Sequence, residues 1–302
     1  MDTIPAGHVL RPPTADDVGA VAELLRARDV ADLGEPEVTR ADVQADWDAA
    51  GFELENDAWV VQDADGALVA YAVVTGTDLV VAVHPDSVGK GLGTQLRRAA
   101  EHRAARRGSR VVRQFVPAAN TAARVLLLAA GWWPAHHYYR LRIDLEQAPP
   151  PPPVLARVFD PERDTEEVWH LVQGAYSGIE GYLAQSLEGW SATAMAKPDW
   201  DPALWVLLHD ANGIIGAALG ERGETGEKRV GIVTILAVAE RARGLGHGRT
   251  LLLLLFDAFR RERLRFAEAA AHGPTVTAPR VFISAGMTPV RESERWEKVL
   301  GV

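Results

Sequence analysis

Two glycine-rich stretches carry the strongest chemical signal in the sequence. The first reads Val83-His84-Pro85-Asp86-Ser87-Val88-Gly89-Lys90-Gly91-Leu92-Gly93-Thr94. The second reads Val238-Ala239-Glu240-Arg241-Ala242-Arg243-Gly244-Leu245-Gly246-His247-Gly248-Arg249. Each follows an apolar run that reads as a buried strand and opens a pattern that reads as a helix. Glycines at alternate positions let the backbone approach a ligand closely, and the free amides of a helix start favour phosphate. A P-loop needs Gly-Lys-Ser/Thr, but Gly89-Lys90 is followed by Gly91. A dinucleotide fingerprint needs a third glycine where Thr94 and Arg249 stand. The pattern that fits is Arg-x-x-Gly-x-Gly, complete at Arg243–Gly248. In the first loop Val88 takes the place of the arginine.

The elements that must hold these loops read as one unit written twice. A chain of 302 residues predicts two domains. Five prolines, Pro149–Pro153, straddle its midpoint. Such a run is stiff polyproline II and continues neither a helix nor a central strand. The expected division is therefore a first domain 1–147, a Pro-rich linker 148–154 and a second domain 155–302. Gly89, Gly91 and Gly93 recur 155 residues later as Gly244, Gly246 and Gly248, and Gly131 recurs as Gly286. Upstream, Trp59-Val60-Val61 matches Trp205-Val206-Leu207, nine residues closer, which places a longer hairpin loop at Glu221–Arg229. In the first half, strands are expected at Val9–Arg11, Ala58–Gln62, Ala67–Thr75, Leu79–Val83, Val111–Val116 and Tyr138–Leu145. Helices are expected at Asp16–Arg28, capped by Asp16 or Asp17, and at Arg40–Ala50, Leu92–Arg107 and Thr121–Ala130.

These motifs together resemble the GNAT superfamily of acyl-CoA-dependent N-acyltransferases. Asn120-Thr121-Ala122-Ala123-Arg124-Val125-Leu126-Leu127, then Gly131-Trp132, is similar to that family's second motif. Ala278, Val281-Phe282 and Gly286-Met287 take the corresponding places in the second half. The resemblance implies an α/β (α+β) fold class: two tandem GNAT-like domains, each a mixed, mostly antiparallel twisted sheet flanked by helices. It implies acetyl-CoA, or another acyl-CoA, as co-substrate, and no metal. The pyrophosphate would lie on loop residues Gly89, Lys90, Gly91, Leu92, Gly93 and Thr94, with Asn120 nearby. In the second half the same role falls to Arg243, Gly244, Leu245, Gly246, His247, Gly248 and Arg249. The pantetheine arm would run between strands splayed near Val83 and Val238, with a strand-end amide near Val238 polarising the thioester. The tandem arrangement resembles that of the mycothiol synthase family, in which the C-terminal half is catalytic. Because Arg243 completes its loop, the C-terminal half is favoured here too. Catalysis in the N-terminal half, which keeps Asn120, and a non-catalytic acyl-CoA-binding sensor or scaffold are the alternatives.

The catalytic residues are less clearly marked. The family's usual tyrosine, which protonates the departing thiolate, is replaced by Leu127 and Phe282, neither of which donates a proton. Ser284 is the nearest hydroxyl. Glu221, Glu227 and Asp78 are the candidate bases, and water relay is the alternative. Tyr176, Glu180, Tyr182 and Trp190 suit an amine with a hydrophobic or sugar-like body. Glu180-Gly181 stands where the two-copy enzymes carry a substrate-contacting acid. Residues 29–65 hold twelve acids against Arg40 alone, a field that attracts a cationic acceptor. Residues 90–113 hold eight basic residues and one acid. Arg97, Arg98, Arg103, Arg106 and Arg107 follow the first loop directly, where some could meet CoA phosphates.

Composition narrows the rest. With no cysteine, disulfides, thiolate metal sites and a cysteine nucleophile are excluded. A net charge of −9 disfavours nucleic acid as a partner. Apolar runs such as Leu251–Phe256 are too short to cross a membrane, and the first residues carry no signal-peptide pattern. The expected partners are a small-molecule amine and a CoA thioester, with no membrane, in a cytoplasmic monomer or homodimer.

Overall fold

The computed structural model describes residues 4–179, 182–197, 200–225, 228–273 and 279–301. Glu180, Gly181, Glu227 and Ala278 lie outside the described residues. Two compact units emerge: Met1–Tyr138 with Arg291–Val302, and Tyr139–Val290.

The elements run β1 (Val9–Arg11), α1 (Val18–Leu33), α2 (Arg40–Trp47), α3 (Leu54–Asp57), β2 (Ala58–Gln62), β3 (Leu68–Thr75), β4 (Asp78–Val83), α4 (Leu92–Arg106), β5 (Val111–Pro117), α5 (Thr121–Ala129) and β6 (Trp133–Asp144). The second half continues with β7 (Ala156–Val158), α6 (Pro161–Tyr176), α7 (Leu187–Met195), β8 (Trp205–Asp210), β9 (Gly213–Thr225), β10 (Lys228–Val238), α8 (His247–Arg261), β11 (Phe266–Gly273), α9 (Arg280–Ser284) and β12 (Thr288–Val299). Strand order is β1-β2-β3-β4-β5-β12 in the first unit and β6-β11-β10-β9-β8-β7 in the second. β1–β2, β2–β3, β3–β4 and β5–β12 pair antiparallel, as do β7–β8, β8–β9 and β9–β10, while β4–β5 and β10–β11 are parallel. This is the expected mixed, mostly antiparallel sheet.

In the first unit, α1 and α2 lay Val18, Val21, Leu24, Val43 and Trp47 on β2 and β3. Asp17 stands at the N-cap of α1 without a side-chain cap bond, and the 3-10 turn Ala15–Asp17 that leads into the helix has its own N-cap in Thr14. Its backbone and hydroxyl both donate to the Asp17 carboxylate, at 2.7 and 3.0 Å. Trp296 of β12 is buried with Val112, Val116 and Leu127, in register with Gln114 of β5. In the second unit the leucine-rich α8 packs Leu251, Leu252, Leu255, Phe256 and Phe259 against Tyr139, Leu141, Ile143 and Leu145. Here Gly220 and Gly231 are packing residues: a Cβ would meet the Phe259 ring at 2.6 and 2.5 Å.

The units differ in their bounds from the division expected at the prolines. The final strand of each sequence half completes the other unit's sheet. The partners explain the exchange. Arg140 and Arg142 of β6 grip Glu268 of β11, while Glu294 of β12 receives Arg124 of α5. The proline run itself belongs to the second unit. Arg260 of α8 holds the chain entering it by donating to Leu145 O at 2.8 Å, Ala148 O at 2.7 Å and Pro149 O at 3.2 Å.

Candidate functional site

The two loops share one backbone conformation. Gly89 and Gly91 adopt φ of 84° and 81°, Gly244 and Gly246 adopt 78° and 83°, a region disfavoured for other residues. Gly91 and Gly246 are the N-caps of α4 and α8. The first turn of each helix therefore presents amides with no intrahelical acceptor. A Cβ at Gly89, Gly91, Gly244 or Gly246 would meet nothing within 4 Å, so each loop is open on its ligand side. Amides so placed are suited to an anionic group.

In the first unit the loop walls a cleft of about 640 Å³ that reaches Val81, Val83, Arg97, Gln114, Asn120 and Leu127. The cleft exists because β4 and β5 meet only where Asp78 faces Arg113, then diverge. His84 N–H donates to Val69 O at 2.9 Å. Antiparallel alternation then turns the backbone groups of Val81 and Val83 away from β3, into the cleft. Asn120 is fully engaged: its Oδ1 accepts from Ala123 N at 3.0 Å and its Nδ2 donates to Asp32 Oδ2 at 2.9 Å. Lys90 Nζ donates to Ser87 Oγ at 3.3 Å. The basic face of α4 is largely committed elsewhere, since Arg103 and Arg107 both bind the buried Asp57. Arg97 pairs with Glu101, and its Nε is buried without a partner at the cleft wall.

A second pocket of about 240 Å³ adjoins this cleft, and Arg28, Val81, Gln114, Asn120 and Ala123 line both. Four aspartates line it: Asp29 and Asp32 from α1, Asp42 and Asp46 from α2. Asp32 pairs with Arg28 at 2.5 Å. Asp29 accepts from the amides of Glu37 and Val38, both at 2.9 Å. The Thr39 hydroxyl and amide hold the Asp42 carboxyl below its ordinary range. Burial, then the Asp42 charge, raises that of Asp46, whose carboxylate makes no hydrogen bond or ion pair among the described residues. Sequence reasoning missed Arg28 and Gln114. Gln114 sits between Val112 and Val116 on the inward face of β5, where a polar residue among apolar ones was the available signal.

In the second unit a cavity of about 840 Å³ lies under α6 and α7, lined by Tyr176, Tyr182, Trp190, Glu221, Thr234 and His272 among others. This brings three of the sequence-predicted acceptor residues and Glu221 together. Glu221 is bound by Lys197. The Tyr176 hydroxyl bridges the backbone of Leu236, accepting from its N–H at 3.3 Å and donating to its C=O at 3.4 Å. Burial raises that phenol above its ordinary range. Ser284 lies outside this cavity: it is exposed on α9 and donates to Val281 O at 2.6 Å. Arg243 Nε donates to Val238 O at 3.2 Å, and Arg249 Nε to Ser284 O at 2.7 Å. Leu245 is exposed, and His247 and Gly248 open α8.

Both loops lie within regions that match a known family. The acetyltransferase (GNAT) family profile matches residues 21–132 and 166–281. The chain is 29% identical over 250 residues to mycothiol acetyltransferase of Acidothermus cellulolyticus, covering 75% of this chain and 74% of that one. A GCN5-related N-acetyltransferase structure from Sphaerobacter thermophilus superposes with a TM-score of 0.68 at 29% identity, covering 99% of this chain and 98% of the other. A tandem GNAT protein from the clavulanic acid biosynthesis pathway shares the fold, with a TM-score of 0.56 at 18% identity over 98% and 99% of the two chains. Matched over about three quarters of its length, once on each side of the proline run, this chain belongs to the GNAT family of acetyltransferases and carries that region twice.

Proposed function

We propose that the protein is an acetyl-CoA-dependent N-acetyltransferase for a small amine, with the transfer performed in the first unit. One observation carries this reading: the glycine-loop cleft and the acidic pocket share a wall at Arg28, Val81, Gln114, Asn120 and Ala123. A thioester held in one and an amine held in the other meet at that wall. When bound, acetyl-CoA supplies an activated acyl group. The chain's own part is to seat the phosphates on the amides of Leu92, Gly93 and Thr94. It also offers the outward backbone of Val81 and Val83 to the pantetheine arm and carbonyl. The acceptor arrives as an ammonium and loses two protons as its nitrogen forms the amide bond and the C–S bond breaks. One proton leaves to solvent and one ends on the CoA sulfur. Water in the pocket relays the first. Leu127 offers no proton to the sulfur, so water supplies the second.

A second reading keeps the chemistry in the second unit. It is favoured by the complete Arg243–Gly248 loop and by Glu221, Thr234 and His272 lining one cavity of about 840 Å³. Thiol release from acetyl-CoA with a panel of amines separates the two, using Gly91→Glu and Gly246→Glu. A carboxylate placed in a phosphate cradle repels the ligand there. Loss of turnover in Gly91→Glu alone supports the first unit, and loss in Gly246→Glu alone supports the second. No turnover by the wild type with any amine leaves an acyl-CoA-binding sensor.

A further inference from the structure

We infer that the acidic pocket of the first unit selects a compact diamine, a molecule with two ammonium groups on a short chain. This rests on the first unit being the one that transfers. The pocket has a deep end and a rim. At the deep end, Gln114 is 6% exposed, and its Oε1 is buried with no hydrogen-bond partner. An orphaned buried acceptor is destabilising by about 1–3 kcal/mol, so this oxygen awaits a donor. It lies on the wall shared with the cofactor cleft, where the reacting nitrogen must be. An ammonium supplies that donor.

The rim supplies a second cation site. Asp42 and Asp46 lie one helical turn apart on α2 and are both exposed. Spacing of i, i+4 puts their charges side by side, and Asp46 has no counter-charge. At the deep end, by contrast, Asp32 already has Arg28 and Asn120, and Asp29 is used by two amides. Four carboxylates thus face one guanidinium, and the uncompensated charge is at the rim. The volume of about 240 Å³ holds roughly eight water-sized groups, enough for a chain of several carbons between two nitrogens. One ammonium at Gln114 and the other at Asp42 and Asp46 satisfies both ends together.

The test is calorimetric binding of 1,4-diaminobutane and of 1-aminobutane to the full chain, alongside thiol release from acetyl-CoA. The diamine is expected to bind about tenfold more tightly, the worth of one added charge-assisted contact. In Asp46→Asn, whose carboxylate supports no fold contact, that preference collapses to near unity. In Gln114→Leu both amines weaken about tenfold together. Glu23→Gln, on the exposed side of α1, keeps the wild-type ratio. Equal affinity for the two amines, or a preference that survives Asp46→Asn, overturns the inference. The two readings fail separately. Selective diamine binding without thiol release overturns transfer in the first unit but keeps the acceptor class. Thiol release that is equal for both amines and lost in Gly91→Glu keeps the transfer but overturns the class.

Discussion

Asn120 was expected from its motif to be a cofactor contact, and its geometry makes it a strut as well. It caps α5, a wall of the glycine-loop cleft, and ties that helix to Asp32 of α1, a wall of the acidic pocket. Replacing Asn120 with alanine removes an N-cap worth about 1 kcal/mol and a hydrogen bond to a carboxylate worth about 1.5–3 kcal/mol. The expected loss is about 3 kcal/mol, a fall in melting temperature of about 9 °C for a unit of this size. Asn120→Asp keeps the cap but sets two carboxylates where a 2.9 Å hydrogen bond stood. At that separation two full charges repel by roughly 6 kcal/mol in a medium of effective dielectric about 20. The folded variant relieves this by binding a proton that the unfolded chain does not hold. Stability then falls as pH rises from the ordinary carboxylate value towards the raised one, and returns on acidification. Urea unfolding followed by tryptophan fluorescence at pH 8 and pH 5 reads both effects. Asn120→Asp should be the weaker variant at pH 8 and recover relative to Asn120→Ala at pH 5. An Asn120→Ala protein within 0.5 kcal/mol of wild type, or a pH-independent Asn120→Asp, would refute the strut.

Three further outcomes follow from packing and charge. Asp164 is buried, and burial alone would raise its carboxyl, but hydrogen bonds from Arg157 and Arg163 hold it well below the usual range. Its contribution is therefore complete above the ordinary carboxylate value and lost only as pH falls through the depressed one. Asp164→Asn should lose about 3 kcal/mol at neutral pH and show a flatter acid limb in urea titrations. Gly231→Ala pushes a Cβ to 2.5 Å from the Phe259 ring, so thermal unfolding should report about 2–3 kcal/mol of overpacking. Tyr176→Phe strips Leu236 of the hydroxyl on both its backbone groups, an expected loss of about 1–2 kcal/mol, with faster hydrogen exchange at the Leu236 amide as the specific readout.

Local features were legible in the sequence. The glycine loops could be read because left-handed glycines and helix starts are properties of a few adjacent residues. Strands β1 and β2 fall where alternation placed them. Gly108 and Gly131 end α4 and α5 in left-handed conformation. What escaped was what depends on distant partners. Alternation in β6 and β12 marks them as strands but does not say which sheet completes them. The acids of residues 29–65 read as a diffuse field, yet Asp29 with Asp32 and Asp42 with Asp46 stand at i, i+3 and i, i+4 on adjoining helices. Helical spacing thus contained the pocket, but only knowledge that α1 and α2 adjoin assembles it. The basic run of α4 read as a phosphate face because the buried Asp57, which takes Arg103 and Arg107, lies 46 residues from Arg103.

The exchange of final strands bears on how the chain folds during synthesis. Residues 139–290 are contiguous, so the second unit has all its strands while the ribosome is still translating the C-terminus. The first unit, although made earlier, lacks β12 until residue 299 has emerged. Until then β5 has an unpaired edge carrying the exposed Phe115, the kind of edge that recruits other chains. The sheet holding the acidic pocket is thus completed last, by a strand that joins Pro117 to Ser293 across 176 residues of chain. A ribosome that stops short of residue 291 leaves one unit whole and the other with its glycine loop on an unfinished sheet.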